Sequence, residues 1–192
     1  MEHAPGLAFL KLGISLSTAG LVLFSVSPAV AQMTQNEALS LAFPEADIER
    51  RTAYLTEAQI NRAEALAGFG IEVNSGIITH YVASKMGEPV GVAYFDAHRV
   101  RTLPEVLMIV VGPDSRVRRV EVVAFREPPE YSPPRRWLEQ FDGRNLGRSL
   151  SLRGGEIRNM TGASLTSEAG TWAVRRTLAL HQVIGPFENE GT

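Results

Sequence analysis

The first pattern in the chain after residue 31 is helical, and it predicts helices over residues 36–42 and 47–67. The second helix contains an internal start signal, the capping box Thr56-Glu57-Ala58-Gln59, and Gly68 supplies its stop. Four apolar residues fall on one face of this helix, so we expect it to lie against a sheet. These residues are Ile60, Ala63, Leu66 and Ala67.

Strand-like runs follow, rich in β-branched and aromatic residues and separated by turn-forming segments. They predict strands over residues 77–83, 90–95, 103–111 and 117–125. The segment Gly112-Pro113-Asp114-Ser115 predicts a hairpin that makes the last two strands antiparallel neighbours. Strict alternation fails in the last strand, at Val117, Val120 and Val122, which leaves two interpretations open. One is a bulge and the other is burial on both faces.

The pattern changes again after residue 125. Four prolines between residues 126 and 134 exclude a regular helix or a central strand there. A short helix is predicted to begin at Arg135 and to end at Gly143. Its inward-facing side chains are those of Trp137, Leu138 and Phe141.

The last predicted helix covers residues 166–183 and ends at Gly185-Pro186. We expect it to bury Trp172, Leu178 and Leu180. The order of the elements predicts a single α+β domain, in which helices pack against a mostly antiparallel sheet.

The first 31 residues have the pattern of an export signal. Residues 12–26 are apolar or small throughout, and Ser27-Pro28-Ala29-Val30-Ala31 ends in an Ala-x-Ala cleavage pattern. The run is short for a transmembrane helix, which needs about 20 residues. A cleaved signal peptide and an uncleaved signal anchor are the two interpretations. In either case we expect a periplasmic domain, anchored to the inner membrane if the signal is retained.

The amino-acid composition limits the kinds of functional site that we expect. The chain has 192 residues, no cysteine and four histidines without helical metal-ligand spacing, so neither thiolate chemistry nor a metal site is expected. The net charge is −2, but 12 arginines lie between residues 116 and 176. Such a segment suits an anionic cofactor or an acidic partner, and a solvated arginine-rich face is the alternative. Nucleic acid is a poor match for an exported protein of acidic balance.

The segment Thr161-Gly162-Ala163-Ser164-Leu165-Thr166-Ser167 is the most informative chemical signal. At the start of a helix, unpaired N–H groups and the positive end of the helix dipole favour an anion, and phosphate is the usual one. Small residues at 162 and 163 leave room for a bulky group on the next side chain. The simpler alternative is an ordinary helix N-cap, which serine and threonine also favour.

This segment resembles the flavin-attachment motif of the FMN-binding domain family, Asp-x-x-(Ser/Thr)-Gly-Ala-Thr. The resemblance extends over residues 104–180. It includes two strands joined by the turn at 112–115 and a short helix at 138–143, in which an aromatic residue precedes a glycine. Glu127-Pro128-Pro129-Glu130 occupies the place of the family's Glu-Thr-Pro-Gly. The resemblance implies an FMN-binding domain over 104–184. The residue patterns place a signal peptide or signal anchor over 1–31, the N-terminal helices and first strands over 32–103 and a tail over 185–192.

The resemblance implies an FMN cofactor joined through its phosphate to the hydroxyl of Ser164. Thr166 and Ser167 would donate hydrogen bonds to the phosphate, and Thr161 would orient the loop. Glu127 would approach the flavin or pair with a nearby arginine. The full set of candidate binding residues is Thr161, Gly162, Ala163, Ser164, Leu165, Thr166, Ser167 and Glu127.

The sequence departs from the family pattern in three places. Ser164 replaces a threonine, which keeps the hydroxyl that a phosphoester needs. Arg158 stands where the family has aspartate, so noncovalent FMN binding is an open alternative to covalent attachment. Pro128 and Glu130 replace threonine and glycine, so the residues around the flavin ring are not determined by the pattern.

The implied function is that of an electron carrier, because the flavin ring performs the redox chemistry and no catalytic side chains are required. The implied partners are a flavin transferase for maturation and membrane or periplasmic redox proteins, namely a reductase, a cytochrome or a quinone-linked complex. One alternative is a flavin-free interaction or sensory module of the same fold. A serine hydrolase at Ser164 is disfavoured, because only His181 follows and it lies in the same helix.

Overall fold

The computed structural model describes Met1 and residues 33–187. Apart from Met1, the predicted signal segment lies outside the described residues, as does the end of the predicted tail. Two single turns of 3-10 helix, Pro129–Tyr131 and Glu139–Phe141, supplement the main elements. The helices and strands in chain order are α1 Gln35–Ala42, β1 Asp47–Tyr54, α2 Glu57–Ala67, β2 Ile77–Lys85, β3 Glu88–Arg99, β4 Pro104–Val111, β5 Val117–Phe125, α3 Arg135–Leu138 and α4 Ser164–Ile184.

The five strands form one sheet in the order β1-β2-β3-β4-β5, and each is antiparallel to its neighbours. The α+β class and the antiparallel sheet are therefore confirmed. The hairpin between β4 and β5 is also confirmed: the Gly112 N–H donates to the Arg116 carbonyl at 2.8 Å, and Ser115 has a φ of 57°. Register shifts opposite β4 place extra residues in β5, which confirms the bulge. Burial on both faces is confirmed as well, because Val117 and Val120 belong to one core cluster and Val123 to the other.

The predicted helix over residues 47–67 is wrong in its first half. Residues 47–54 form the edge strand β1, which pairs with β2 along its whole length. Six of the eight residues of β1 are exposed and four of these are charged, as is usual for an edge that must not pair with other chains. Local propensity favoured a helix, but pairing with the neighbouring strand decides the conformation.

Helix α2 begins where the capping box predicts it. The Thr56 N–H donates to Gln59 Oε1 at 2.9 Å, the Gln59 N–H donates to Thr56 Oγ1 at 3.3 Å, and Gly68 ends the helix with a φ of 111°. The expectation that α2 lies against the sheet is wrong. Its buried Ala63 and Ala67 pack against Ala179 and Leu180 of α4, because small side chains let two helices approach closely.

Helices cover both faces of the sheet. Helix α1 packs on one face through Leu39 and Phe43, and α4 packs on the other through Val174 and Leu178. The short helix after the proline-rich segment buries all three predicted side chains, which are those of Trp137, Leu138 and Phe141. Within the described residues, none of the helices is long and apolar enough to cross a membrane.

Helix α4 is confirmed and is two residues longer at its start than predicted. Leu178 and Leu180 are buried as expected, but Trp172 is 38% exposed and the prediction of its burial is wrong. Its neighbours Ala173 and Val174 face the core. Trp172 therefore lies at the margin of the buried face, where part of the ring meets solvent.

Two polar contacts fix the direction of α4 relative to β3. The Tyr94 hydroxyl lies 3.0 Å from His181 Nδ1, and Arg176 forms two bonds of 2.7 and 2.8 Å with Asp96. Moving forward along β3 thus means moving backward along α4. The end of β3 and the turn after it consequently lie near the start of α4, where Ser164 begins the helix.

Candidate functional site

The start of α4 has no side-chain cap within the described residues. Ser164 is its first residue and is exposed, and no side chain caps the helix at Ala163. The first N–H that reaches a carbonyl is that of Ser167, which donates to Ala163 at 3.1 Å. The three preceding N–H groups have no acceptor in a preceding helical turn. The N–H groups of the first turn and the positive end of a 21-residue helix form a favourable place for an anion.

The loop before the helix is shaped by Gly162. This residue has a φ of +82°, which side chains with a Cβ rarely adopt. A Cβ added there would meet no atom within 4 Å, so the loop is open on that side. The glycine is required by backbone conformation, and the space beside it is available to a group attached at Ser164.

Two hydrogen bonds hold the loop to the core. Trp137 Nε1 donates to the Arg158 carbonyl at 2.6 Å, and the Met160 N–H donates to Ser167 Oγ at 2.9 Å. The Ser167 hydroxyl in turn donates to the Ala163 carbonyl at 3.2 Å. Ser167 is fully buried, so it shapes the loop instead of offering an open hydroxyl to a phosphate.

The other candidate residues differ in accessibility. Thr166 is buried, with 1% of its surface exposed, whereas Leu165 is 48% exposed. Thr161 and Ala163 line a groove on one side of the loop, together with Arg136 and Arg158. The structure therefore leaves Ser164 and the backbone N–H groups as the most accessible polar atoms at the start of the helix.

Ser164 lines a second groove, of about 770 Å³. Two exposed aromatic side chains line this groove, those of Phe69 and Trp172. Arg148 and Arg153 add positive charge along it. An elongated ligand with an anionic end and a flat ring matches this combination, because aromatic side chains stack on rings and cations attract the anion.

Arg175 connects three segments that border the groove. Its Nε donates to the Ala67 carbonyl at 2.6 Å, and its Nη1 donates to the carbonyls of Gly147 and Leu150, both at 2.8 Å. The guanidinium thus joins the end of α2, the loop at 147–150 and helix α4. Arg148 lies within this loop and Arg153 follows it, so Arg175 acts as a structural support for both arginines of the groove.

A smaller cavity of about 240 Å³ adjoins this groove. Leu165 and Trp172 line it from α4, His98 lines it from β3, and Val100 lines it from the turn that follows β3. Trp172 and Glu168 border both spaces. A ligand attached at Ser164 can therefore follow α4 toward Trp172, about 12 Å away at 1.5 Å per residue.

Glu127 acts on this cavity indirectly. Its Oε1 accepts bonds of 2.8 Å from the N–H groups of both Leu103 and Thr102, and a third of 3.3 Å from that of Arg101. These bonds lower the pKa of Glu127, those from Leu103 and Thr102 contributing most. The carboxylate thereby fixes the turn after Val100, which is a role that the sequence-based alternatives for Glu127 did not include.

Sequence analysis missed several residues of this region. Phe69 follows the helix stop at Gly68. An apolar residue just beyond a helix end was the signal that could have indicated its place in the site. Asp96 and His98 lie two positions apart near the end of a strand, which places both on one face. Polar residues at that spacing in an otherwise apolar strand indicate a buried polar network, which the structure contains.

Comparison of the chain with protein-family models, curated proteins and solved structures finds no match. The site is therefore defined by its own geometry. It consists of an uncapped helix start with an exposed serine, an open glycine loop and a groove with exposed aromatic and cationic side chains.

Proposed function

We propose that this protein is an exported flavoprotein that carries electrons, with FMN joined through its phosphate to the hydroxyl of Ser164. The observation that carries the proposal is the exposed Ser164 on the uncapped start of α4, at the mouth of a groove lined by Phe69 and Trp172. The order of motifs over residues 104–180, which resembles that of the FMN-binding domain family, supports the same conclusion.

The residues at the site fit FMN in three respects. Backbone N–H groups of the first turn of α4 are available to the phosphate, which carries negative charge. The groove is long enough for the ribityl chain to run along α4, because it extends from Ser164 to Trp172. Phe69 and Trp172 offer aromatic surfaces to the isoalloxazine ring.

Attachment requires a transferase and an activated flavin donor. The Ser164 oxygen attacks the phosphorus of the donor, an oxygen–phosphorus bond forms, and the bond to the donor's leaving group breaks. The hydroxyl proton passes to a base of the transferase. The exposure of Ser164 makes its oxygen accessible to such an enzyme. FMN held without the covalent bond would use the same N–H groups and the same groove.

The carrier role follows from what the site offers. Bound FMN supplies the redox chemistry, and the protein supplies its position and surroundings. An open groove leaves the ring accessible to a redox partner, for which we propose a reductase, a cytochrome or a quinone-linked complex of the membrane or periplasm. The export signal predicted over residues 1–31 would place the carrier in the periplasm.

The experiment is to export the protein from a host that supplies a flavin transferase and to compare Ser164→Thr with Ser164→Ala. The wild type and the threonine variant should be yellow and stay yellow after denaturation, since both keep a hydroxyl. The alanine variant should lose its colour on denaturation or lack flavin. Ser40→Ala, at an exposed serine of α1 on the other face of the sheet, is the matched control and should behave as the wild type. Colourless wild-type protein would contradict the proposal and favour a flavin-free interaction module.

A further inference from the structure

A chain of four charged side chains connects α4 to the ends of β3 and β4. Arg176 donates to Asp96, whose Oδ1 lies 2.9 Å from His98 Nδ1, and His98 Nε2 lies 3.0 Å from Glu105 Oε2. The strand register places His98 directly opposite Glu105. Positive and negative groups therefore alternate along the chain, with His98 between two carboxylates.

His98 is a cation at neutral pH. Burial by itself lowers the pKa of this imidazole, but hydrogen bonds to Asp96 and Glu105 outweigh it and raise the pKa to about 9. Both ring nitrogens then carry protons and donate, one to each carboxylate. Neither nitrogen keeps a lone pair for a metal ion, so the cluster is arranged to hold a charge.

Burying these charged groups costs desolvation free energy, so the cluster is a poor way to stabilise the fold. The Glu105 side chain is completely buried, and its Oε1 has no hydrogen-bond partner within the described part of the chain. An apolar set of similar volume would avoid the desolvation of four charged groups, and such replacements are often neutral or stabilising. An unsatisfied buried oxygen also points to a role other than packing.

The place of these four charged side chains beside a cavity indicates that role. His98 and Arg176 line the cavity of about 240 Å³ that Leu165 and Trp172 close on the α4 side. This cavity begins one residue beyond Ser164. The His98 side chain is 10% exposed, so solvent screens its charge less than that of a surface group. Asp96 and Glu105 offset this charge, but of the four side chains it is the two cations that line the cavity.

We propose that His98, held between Asp96 and Glu105, supplies a fixed positive charge to this cavity that favours a ligand ring carrying negative charge. The inference rests on the proposed function, because it places the flavin ring beside Trp172. The isoalloxazine ring is neutral when oxidised and is an anion when reduced and deprotonated at N1. A positive neighbour stabilises the anion, so we expect His98 to raise the midpoint potential of the bound flavin.

Other charged groups border the cavity, and the carboxylates among them oppose the effect of His98 while the arginines add to it. They are Glu72, Glu168 and Arg99, besides Arg176. Glu72 and Arg99 are exposed, so salt screens them more than it screens His98. The contribution of His98 should therefore persist when the ionic strength is raised.

The test compares His98→Gln with His80→Gln in flavin-loaded protein. Glutamine keeps hydrogen-bonding groups and removes the charge at position 98. His80 is the matched control, because it is buried on β2, lies outside the cavity and has its pKa lowered by burial. We expect His98→Gln to lower the midpoint potential in a reductive titration, and His80→Gln to leave it unchanged. Each tenfold change in the ratio of reduced to oxidised flavin corresponds to about 30 mV for a two-electron couple.

Glu105→Gln provides a second variant if His98→Gln does not fold. It removes one of the two carboxylates that hold the proton, so ¹⁵N NMR of the flavin-free protein should show His98 losing its proton at lower pH. In the loaded protein the midpoint potential should fall above that pH. Unchanged potentials in both variants would overturn this inference and leave flavin binding intact. Wild-type protein without flavin would overturn the proposed function, and this inference with it.

Discussion

Trp137 and Arg158 are joined by a hydrogen bond of 2.6 Å from the indole Nε1 to the backbone carbonyl. The bond connects the buried short helix to the loop that leads to Ser164, and Gln140 Oε1 accepts from the Arg158 N–H at 2.9 Å. The loop thus begins from a fixed point, although its tip is exposed. A rigid approach to an open tip positions an attachment residue without enclosing it.

Replacing Trp137 by Phe should destabilise the protein and disorganise the attachment loop. The change removes the closer of two side-chain donors to the Arg158 carbonyl, which keeps the longer bond of 3.5 Å from Gln140 Nε2, and it opens a cavity in the core. We expect a loss of about 2–4 kcal/mol in the free energy of unfolding, measured with urea, and less flavin per protein. Trp172→Phe is the matched control for stability alone, because Trp172 also lines the groove; at the exposed margin of α4, this change should cost less than Trp137→Phe. If the two variants were equally stable, the anchoring role of Trp137 would be refuted.

Gly162→Ala should reduce flavin attachment through the backbone. At a φ of +82°, a residue with a Cβ costs about 1–2 kcal/mol, and the loop should shift to relieve it. Gly147→Ala is the control, because a Cβ there meets nothing within 4 Å and its φ is not in the positive range. Flavin content measured by absorbance should fall for the first variant only. Equal flavin content in both would show that the loop conformation is unimportant.

Glu127→Gln should loosen the turn at residues 100–103. The carboxylate has a lowered pKa, so its stabilising contribution is complete above the unfolded value of about 4.5 and disappears as the pH falls through the folded value. The stability difference from the wild type should therefore be largest at neutral pH and vanish in acid. Amide protons of Thr102 and Leu103 should exchange faster in the variant. Glu130→Gln, a change at an exposed carboxylate, should affect neither measurement, and slow exchange in both variants would contradict the role of Glu127.

Because the pKa of His181 is lowered in the folded protein, we expect the protein to lose stability on mild acidification. Burial, with a smaller contribution from His80, lowers its pKa from 6.5 to about 4, so the folded protein binds this proton more weakly than the unfolded chain does. The stabilising contribution is complete above pH 6.5 and is lost toward pH 4, by up to about 3 kcal/mol. His80, whose pKa burial also lowers, adds a slope of the same sign. His181→Gln should flatten the decline between pH 6.5 and 5, and an unchanged decline would exclude His181 as its source.

Local signals in the sequence were predictive where the structure depends on neighbours in the chain. The capping box at Thr56, the turn at 112–115 and the glycine stop after α4 all lie where they were expected. Each depends on residues within a few positions. The edge strand β1 was missed because its conformation is decided by pairing with β2, about 30 residues away.

The candidate site was predictable to a similar degree. An exposed serine at a helix start can be deduced from the motif, and Ser164 lies there. The buried state of Ser167 and the exposure of Trp172 depend on how α4 turns against the sheet, which the sequence pattern did not resolve. The charged chain at His98 joins residues from three elements, so only the tertiary structure brings it together.

The measurement that tests the central claim most directly is peptide mapping by mass spectrometry of the exported wild-type protein, made in a host with a flavin transferase. We predict that the peptide containing Ser164 gains the mass of FMN less one water, and that fragmentation places the group on the Ser164 oxygen. An unmodified peptide from yellow protein would show reversible binding instead of attachment. An unmodified peptide from colourless protein would contradict the account.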